Sequence, residues 1–242
     1  MDQARLSWIA HRFHRFCSPI DPSRLDELLA HVPLRAGDRV LDVGCGNGEM
    51  LAHVTRAVGA RGLGLERSPF LIPEIQRRID AGAPMEVAPG DAQDAALAPG
   101  FALAMCIGST HAWGGMGPTL DRLADLVAPG GHALLGELYW KSPPTQAFLE
   151  RLGAPQDAFV DLASTAWSGE RSGFTFIRGQ TSSEGEWDAY EGLYHQSIDA
   201  WLREHPDDPD HVEMRVRFRA LRDRYWGGGR DHLGFALLLY RR

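Results

Sequence analysis

Three glycines at alternate positions follow a short apolar run near the start of the sequence. Gly44, Gly46 and Gly48 come directly after R-V-L-D-V at 39–43, and a helical pattern begins at Glu49. Because glycine has no side chain, such a turn lets the backbone approach a ligand closely and directs a helix N-terminus at it. The pattern predicts a site for a nucleotide-type cofactor, although a glycine-rich turn can also be only a tight connection.

Two acidic residues lie at positions that suit the same kind of site. Glu66 ends the apolar run G-L-G-L-E, and a carboxylate about 20 residues beyond a glycine turn can accept hydrogen bonds from both hydroxyls of a ribose. Asp91 follows a third apolar run, M-E-V-A-P-G. Either acid alone could be an ordinary surface or turn residue. Together with the glycines, in this order, they favour a nucleotide cofactor.

The glycine spacing separates two classes of cofactor. The dinucleotide fingerprint G-x-G-x-x-G needs a third glycine where this chain has Glu49 or Leu51. An NAD-dependent oxidoreductase, which would also use Glu66, therefore lacks its motif. The spacing D-x-G-x-G-x-G instead resembles the first motif of class I methyltransferases that depend on S-adenosyl-L-methionine (SAM).

Further motifs extend this resemblance over nearly the whole chain. A helical pattern, P-G-G at 129–131 and an apolar run follow one another as in that family, and the [D/N]-P-P-[Y/F] pattern of enzymes that methylate nucleic-acid bases is missing. G-S-T-H-A-W-G-G at 108–115, G-E-L-Y-W at 136–140, E-W-D-A-Y-E at 186–191 and H-P-D-D at 205–208 are similar to the bacterial YjhP-like subgroup. These patches lie outside the SAM motifs.

The resemblance implies an enzyme that uses SAM, releases S-adenosyl-L-homocysteine and methylates a small molecule. Asp91 matches the position from which the family commonly meets the adenine amino group. The cofactor contacts that the resemblance assigns are Asp42, Gly44, Cys45, Gly46, Glu66, Arg67, Gly90, Asp91, Ala92, Ile107 and Gly108. It implies no particular acceptor, and a non-catalytic SAM-binding protein remains an alternative.

The residues that follow the fourth and fifth apolar runs are candidates for contact with the acceptor, because ligands of open α/β sheets bind beyond the carboxyl ends of the strands. His111 is the candidate catalytic base, since imidazole titrates near pH 6.5. The plain alternative is a histidine that only bonds its own turn. Glu137 either orients the acceptor or pairs with buried backbone. We expect Trp113, Tyr139 and Trp140 to wall one dry pocket around a small, partly apolar acceptor. The predicted acceptor-binding residues are His111, Trp113, Glu137, Tyr139, Trp140, Tyr190 and Tyr194.

The elements that must position these residues form an α/β fold. The resemblance and the apolar runs predict a Rossmann-like, seven-stranded, mostly parallel sheet with an antiparallel last strand. We expect a single SAM-dependent methyltransferase domain with a helical cap at 1–34, a core at 35–184, a helical insertion at 185–230 and the last strand at 231–242. Aromatic residues from Trp187 to Trp201 form a stripe that either packs against the body of the domain or closes over the substrate.

Three local predictions concern the cap and the insertion. Apolar spacing predicts one helix over 2–16. His11 and His14, three positions apart on it, could suit a metal ion, but no third ligand is evident, so we expect them on its solvated face. In the insertion, Asp208 is placed to cap the second helix, with Pro209 at its first position.

Composition excludes several other classes of protein. The chain has 242 residues, 44% of them apolar, and a net charge of −7, which disfavours general binding to nucleic acid or to anionic membranes. It contains no apolar run of about 18 residues that could span a bilayer. Its three cysteines lack disulfide or zinc spacing, so we expect no metal and a cytoplasmic protein. Nothing in the sequence indicates the oligomeric state.

Overall fold

The protein is described by a computed structural model that covers all 242 residues, and its centre is a seven-stranded sheet. The strands are β1 Arg39–Val43, β2 Arg61–Glu66, β3 Met85–Pro89, β4 Phe101–Ile107, β5 Val127–Trp140, β6 Thr175–Thr181 and β7 Leu233–Arg241. The main helices are α1 Gln3–Ala10, α2 Pro22–Leu29, α3 Glu49–Val58, α4 Ile72–Asp80, α5 Met116–Leu126, α6 Gln146–Leu152, α7 Leu162–Trp167, α8 Glu184–Glu204 and α9 His211–Arg224.

The strand order is β3-β2-β1-β4-β5-β7-β6. All pairs are parallel except those of β7, which runs antiparallel to β5 and to β6. The chain leaves β1 towards one edge and returns to β4 on the other side, so the order reverses between these two strands. Such a reversal opens a crevice at the carboxyl ends of the strands. The predicted sheet, including its antiparallel last strand, is confirmed.

The first strand shows why an apolar run folds here as a buried parallel strand. Side chains alternate between the two faces of a sheet. Val40 accordingly lies in the core beneath α2, α3 and α4, whereas Leu41 and Val43 lie in the opposite core beneath α5. Helices cover both faces, as is usual for parallel sheets, and this fixes where the chain leaves β1 for the glycine turn.

The cap and the insertion pack on each other through a third apolar cluster. Leu6 and Ile9 of α1 meet Ile198 and Trp201 of α8 and Met214 of α9. The C-terminal part of the aromatic stripe on α8, which includes Trp201, therefore packs against the cap. This agrees with one of the two predicted alternatives. None of the helices is both long enough and apolar enough to span a membrane.

The prediction of one helix over 2–16 is wrong. The helix ends at Ala10, and the residues that follow it contact α8. The Phe13 N–H donates to Ser197 Oγ at 3.2 Å, and His14 Nε2 lies 2.8 Å from the Tyr190 carbonyl oxygen. The prediction of a solvated histidine face is wrong as well, because His14 is buried and His11 half-buried.

The predicted cap of the second insertion helix is also wrong. The helix begins at His211, two residues after the predicted start. Asp208 accepts a hydrogen bond from the Asp210 N–H at 2.9 Å and forms an ion pair with Arg5 at 2.7 Å. Its carboxylate thus links the insertion to the cap instead of capping a helix.

Candidate functional site

The glycine turn places bare backbone at the crevice. Gly44 and Gly46 have φ angles of 68° and 57°, in the left-handed region that side chains disfavour. A Cβ on Gly44 would lie 2.5 Å from the Cβ of Ser109. Ser109, which follows β4, donates to the Val43 carbonyl oxygen at 2.5 Å. The turn is therefore fixed against the neighbouring strand, and only glycine fits at its first position.

Glu66 joins the ends of the first two strands. One of its carboxylate oxygens accepts from the Gly46 N–H at 2.9 Å, and the other accepts from the Ser68 N–H at 2.7 Å. Burial raises the pKa of Glu66, and the two backbone N–H groups partly oppose that rise. The carboxylate is thus held at the floor of the crevice in a fixed orientation.

Asp42 is a second carboxyl group in the same place. It is buried at the end of β1 and makes no hydrogen bond or ion pair. Burial, and then the charge of Glu66, raise the pKa of Asp42 to about 7. Two neighbouring carboxylates repel each other, so a ligand that carries positive charge favours the state in which both are ionised.

A cavity of about 530 Å³ opens at this point, within the size range of small-molecule sites. Every predicted cofactor residue lines it except Asp42 and Cys45, which line a small adjoining pocket that shares Gly44, Gly46 and Ile107 with it. Sequence reasoning missed the other twelve lining residues, four of which are Ser7, His11, Cys17 and Ser68. Ser68 stands two residues after Glu66, but the other three come from the cap and carry no local signal.

The lining of this cavity fits SAM. Leu65, Ala92 and Ile107 provide apolar walls, and Glu66 and Asp42 provide acceptors and negative charge. Ser68 Oγ is buried without a hydrogen-bond partner, as expected for a group that meets a ligand. No group of three or more His, Cys, Asp or Glu side chains is arranged to hold a metal ion.

His111 lines the mouth of the cavity, and Glu137 contacts the turn that carries it. His111 lies exposed on a short turn, Thr110–Trp113, that follows β4, and it lines the cavity. Glu137 of β5 accepts from Thr110 Oγ1 and, at 2.9 Å, from the Leu138 N–H. Glu137 therefore anchors the turn that carries His111. Each of its two carboxylate oxygens accepts a hydrogen bond from the chain itself.

The structure separates Trp113, Tyr139 and Trp140, which we expected to wall one pocket. Trp113 donates its indole N–H to the Ala92 carbonyl oxygen at 2.9 Å and is buried. Tyr139 is buried against Gly234 of β7. Trp140 points from the opposite face of β5, because neighbours on a strand alternate, and donates to the Gln156 carbonyl oxygen at 2.8 Å. The prediction of one common pocket is therefore wrong, because these three side chains do not share a cavity.

Trp140 lines a separate groove of about 660 Å³ beside Phe159. Another groove, of about 860 Å³, lies between α1 and α4. Both are larger than the cavity at the glycine turn, yet neither contains a residue of that turn or Glu66. Volume alone therefore does not identify the cofactor site, whereas the chemistry of the lining residues does.

Tyr190 and Tyr194 lie next to the cap. The Tyr190 hydroxyl is 2.8 Å from His11 Nε2, and His11 Nδ1 is 2.8 Å from the Ser7 carbonyl oxygen. Burial and the neighbouring His14 lower the pKa of His11 to about 4. A neutral His11 then donates a hydrogen bond from Nδ1 and accepts one at Nε2 from the Tyr190 hydroxyl. Since His11 lines the cavity, both tyrosines lie one side chain away from it.

Fold and site together define a class of protein. The strand order, the antiparallel last strand and a glycine turn paired with Glu66 at the order reversal are those of class I SAM-dependent methyltransferases. A family model described as a methyltransferase domain matches residues 8–177. The chain belongs to this family of methyltransferases, and SAM is its cofactor.

Full-length relatives agree with this assignment. A SAM-dependent methyltransferase from Geobacter sulfurreducens, solved with S-adenosyl-L-homocysteine, has a TM-score of 0.90 at 30% identity over 98% of each chain. One from Thiobacillus denitrificans, in the same kind of complex, has a TM-score of 0.90 at 30% identity over 100% of each chain. The Escherichia coli protein YjhP is 27% identical over 98% of each chain. The subgroup resemblance is therefore confirmed.

The Asp42 carboxyl predicts a pH dependence of SAM binding. SAM carries positive charge, which favours the ionised form of Asp42, and the pKa of this group is about 7 in the free protein. SAM affinity should therefore fall as the pH drops below about 7, by at most roughly tenfold per unit for one proton, and level off above it. Calorimetry across this range, repeated with Asp42→Asn, checks the prediction. An unchanged slope in Asp42→Asn would assign the effect to another group.

Proposed function

We propose that this enzyme transfers the methyl group of SAM to a small-molecule acceptor bound between the cap, α8 and the carboxyl ends of β4 and β5. The observation that carries the proposal is the position of the cofactor cavity. Residues 2–4, Ser7 and His11 of the cap line it on one side, and His11 connects it to the tyrosines of α8.

This enclosure favours a small acceptor over a macromolecule. A cap that covers the cavity leaves little room for a folded protein or a nucleic acid to reach the methyl group. The net charge of −7 also opposes binding of nucleic acid. We propose a cytoplasmic location as well, and the three free cysteines support a reducing compartment.

The predicted cofactor residues take the following roles in this proposal. Gly44 and Gly46 allow close backbone approach, Glu66 accepts hydrogen bonds from the ribose, and Asp91 meets the adenine. SAM supplies an already electrophilic methyl group, so the protein has mainly to align the acceptor and exclude water. His111, at the mouth of the cavity, takes the proton from the acceptor.

Labelled SAM and a cell extract test the proposed function. We expect the protein to transfer label to molecules in an Escherichia coli extract from which macromolecules have been filtered, and to release S-adenosylhomocysteine. Label found only in the macromolecular fraction would contradict a small acceptor. SAM binding without turnover in either fraction would favour the non-catalytic alternative, and calorimetric preference for NAD would favour an oxidoreductase.

The role of His111 predicts a rate effect without a binding effect. His111→Ala should lower the methyl-transfer rate roughly 10²–10⁴-fold, because a general base contributes about that much. SAM affinity, measured by calorimetry, should be kept, since the cofactor's predicted polar partners lie elsewhere. A loss of less than about tenfold would leave alignment alone as the source of catalysis.

A further inference from the structure

The groove between α1 and α4 collects arginines from the cap and from the core. Arg5 and Arg12 line it from the cap, Arg56 lines it from α3, and Arg77 and Arg78 line it from α4. We call it the arginine groove. Acidic side chains outnumber Lys and Arg by 32 to 25 in the whole sequence, whereas five arginines and only two carboxylates line this groove. The excess of positive charge is therefore a local property of the groove.

Both carboxylates that line the arginine groove are already engaged. Glu74 accepts a hydrogen bond from the indole N–H of Trp8 at 2.8 Å, and Glu204 forms an ion pair with Arg12 at 2.5 Å. Neither of them is left to offset the arginines of the core. A concave surface with an excess of one charge raises the local concentration of the opposite one, so this groove attracts anions.

The carboxylates that pair with Arg5 and Arg78 lie outside the arginine groove. Arg5 pairs with Asp208 at 2.7 Å and also with Asp210. Arg78 pairs with Glu49 at 3.0 Å. None of these three acids lines the groove. The ion pairs offset part of the positive charge, and they also hold the two guanidinium groups in place.

Arg56 and Arg77 form no ion pair and therefore keep their full charge. Both are exposed, and the hydrogen bond from Arg77 Nε to the Pro73 carbonyl oxygen, at 3.4 Å, leaves the other N–H groups of both side chains free. Guanidinium groups bind phosphate oxygens through two parallel N–H groups. Phosphate also carries more than one charge, so it suits this excess of positive charge better than a single carboxylate does.

The segment 5–12 separates the arginine groove from the cofactor cavity. Arg5, Trp8 and Arg12 line the groove, whereas Ser7 and His11 line the cavity. The two sites thus share a wall, and a movement of this segment changes the shape of both. A ligand in the groove can therefore affect the binding of SAM without contacting it.

We propose that the arginine groove binds a small molecule with two or more phosphate groups, which holds the cap against the core and closes the cofactor cavity over SAM. Without this ligand, the arginines of the cap and those of the core repel each other. Phosphate groups placed between them bind both sides. The volume of about 860 Å³, against about 530 Å³ for the cofactor cavity, gives room for such a ligand. The proposal goes beyond methyl transfer and does not depend on the identity of the acceptor.

Calorimetry with sodium tripolyphosphate tests the site and its effect on SAM. One tripolyphosphate should bind per chain, and at saturation it should lower the dissociation constant of SAM about fivefold or more, compared with sodium chloride at equal ionic strength. SAM should raise the affinity for tripolyphosphate by the same factor. The absence of saturable binding would overturn the site, and an unchanged dissociation constant of SAM would overturn the closure of the cap.

Two matched double variants separate the site from general attraction of anions. Arg56→Gln combined with Arg77→Gln breaks no ion pair, so the fold should be kept, and it should weaken tripolyphosphate binding at least tenfold. Arg215→Gln combined with Arg219→Gln removes two exposed arginines of α9 that also form no ion pair, and it should bind tripolyphosphate as the wild type does. Equal affinity in the two double variants would show that binding follows net charge alone and would overturn the proposal.

Hydrogen exchange measures the closure of the cap directly. Exchange of the backbone amides of α1 should slow when tripolyphosphate binds, because the ligand fixes this helix against α4. The slowing should be lost in the Arg56→Gln, Arg77→Gln double variant. Exchange in α1 that does not respond to tripolyphosphate in the wild type would contradict a ligand that joins the cap to the core.

Discussion

Gly44→Ala is expected to abolish tight SAM binding while leaving the protein folded. The residue has a φ angle of 68°, and a side chain in this conformation costs roughly 1–2 kcal/mol. The new Cβ would in addition lie 2.5 Å from the Cβ and 2.8 Å from the Oγ of Ser109. Ser109 holds the Val43 carbonyl oxygen, so its retreat would move the turn that approaches the cofactor.

A matched glycine separates strain from the loss of the site. Gly82 has a φ angle of 84°, and a Cβ there would meet no atom within 4 Å. Gly82→Ala should therefore lose only the roughly 1–2 kcal/mol of backbone strain, without losing SAM affinity. We expect SAM affinity to fall more than about tenfold in Gly44→Ala but not in Gly82→Ala. A tenfold change in affinity corresponds to about 1.4 kcal/mol of binding free energy. A wild-type dissociation constant in Gly44→Ala, measured by calorimetry, would show that the turn does not bind the cofactor.

Glu66→Ala should also weaken SAM binding strongly, by roughly 1–3 kcal/mol. The substitution removes the proposed partner of the ribose hydroxyls. It also removes the acceptor that holds the Gly46 and Ser68 N–H groups at 2.9 and 2.7 Å, so the turn loses its anchor on β2. The two effects act in the same direction, and calorimetry measures their sum.

Glu86 on the neighbouring strand provides the control for this change. It is exposed on β3, and Glu86→Ala should leave SAM affinity as in the wild type. A Glu66→Ala variant that folds and binds SAM as tightly as Glu86→Ala would contradict the role of Glu66.

The strands and the glycine turn could be predicted because their signals are local. An apolar run that leads into alternating glycines is compatible with few other structures, and β1 and α3 begin at the predicted residues. Glu66 could be found in the same way, since its place depends only on the length of the preceding helix and strand. Such positions are fixed by periodicity and by the direction of parallel strands.

The cap could not be predicted from local signals. Its apolar spacing favours a helix through Phe16, but the helix ends at Ala10 and the Phe13 N–H donates to Ser197 of α8. His11 and Tyr190 are 179 positions apart in the sequence, and no spacing rule relates them. Trp113, Tyr139 and Trp140 were placed by their distance from strand ends, which does not fix the face on which each ring lies.

The crystal structure of the protein with S-adenosyl-L-homocysteine tests the central claim most directly. We predict that the ligand fills the cavity at the glycine turn, with its ribose hydroxyls within about 3 Å of the Glu66 carboxylate and its adenine beside Asp91. Ligand density in the groove between α1 and α4, or density at the turn with no ribose contact to Glu66, would contradict the assignment of this cavity as the cofactor site.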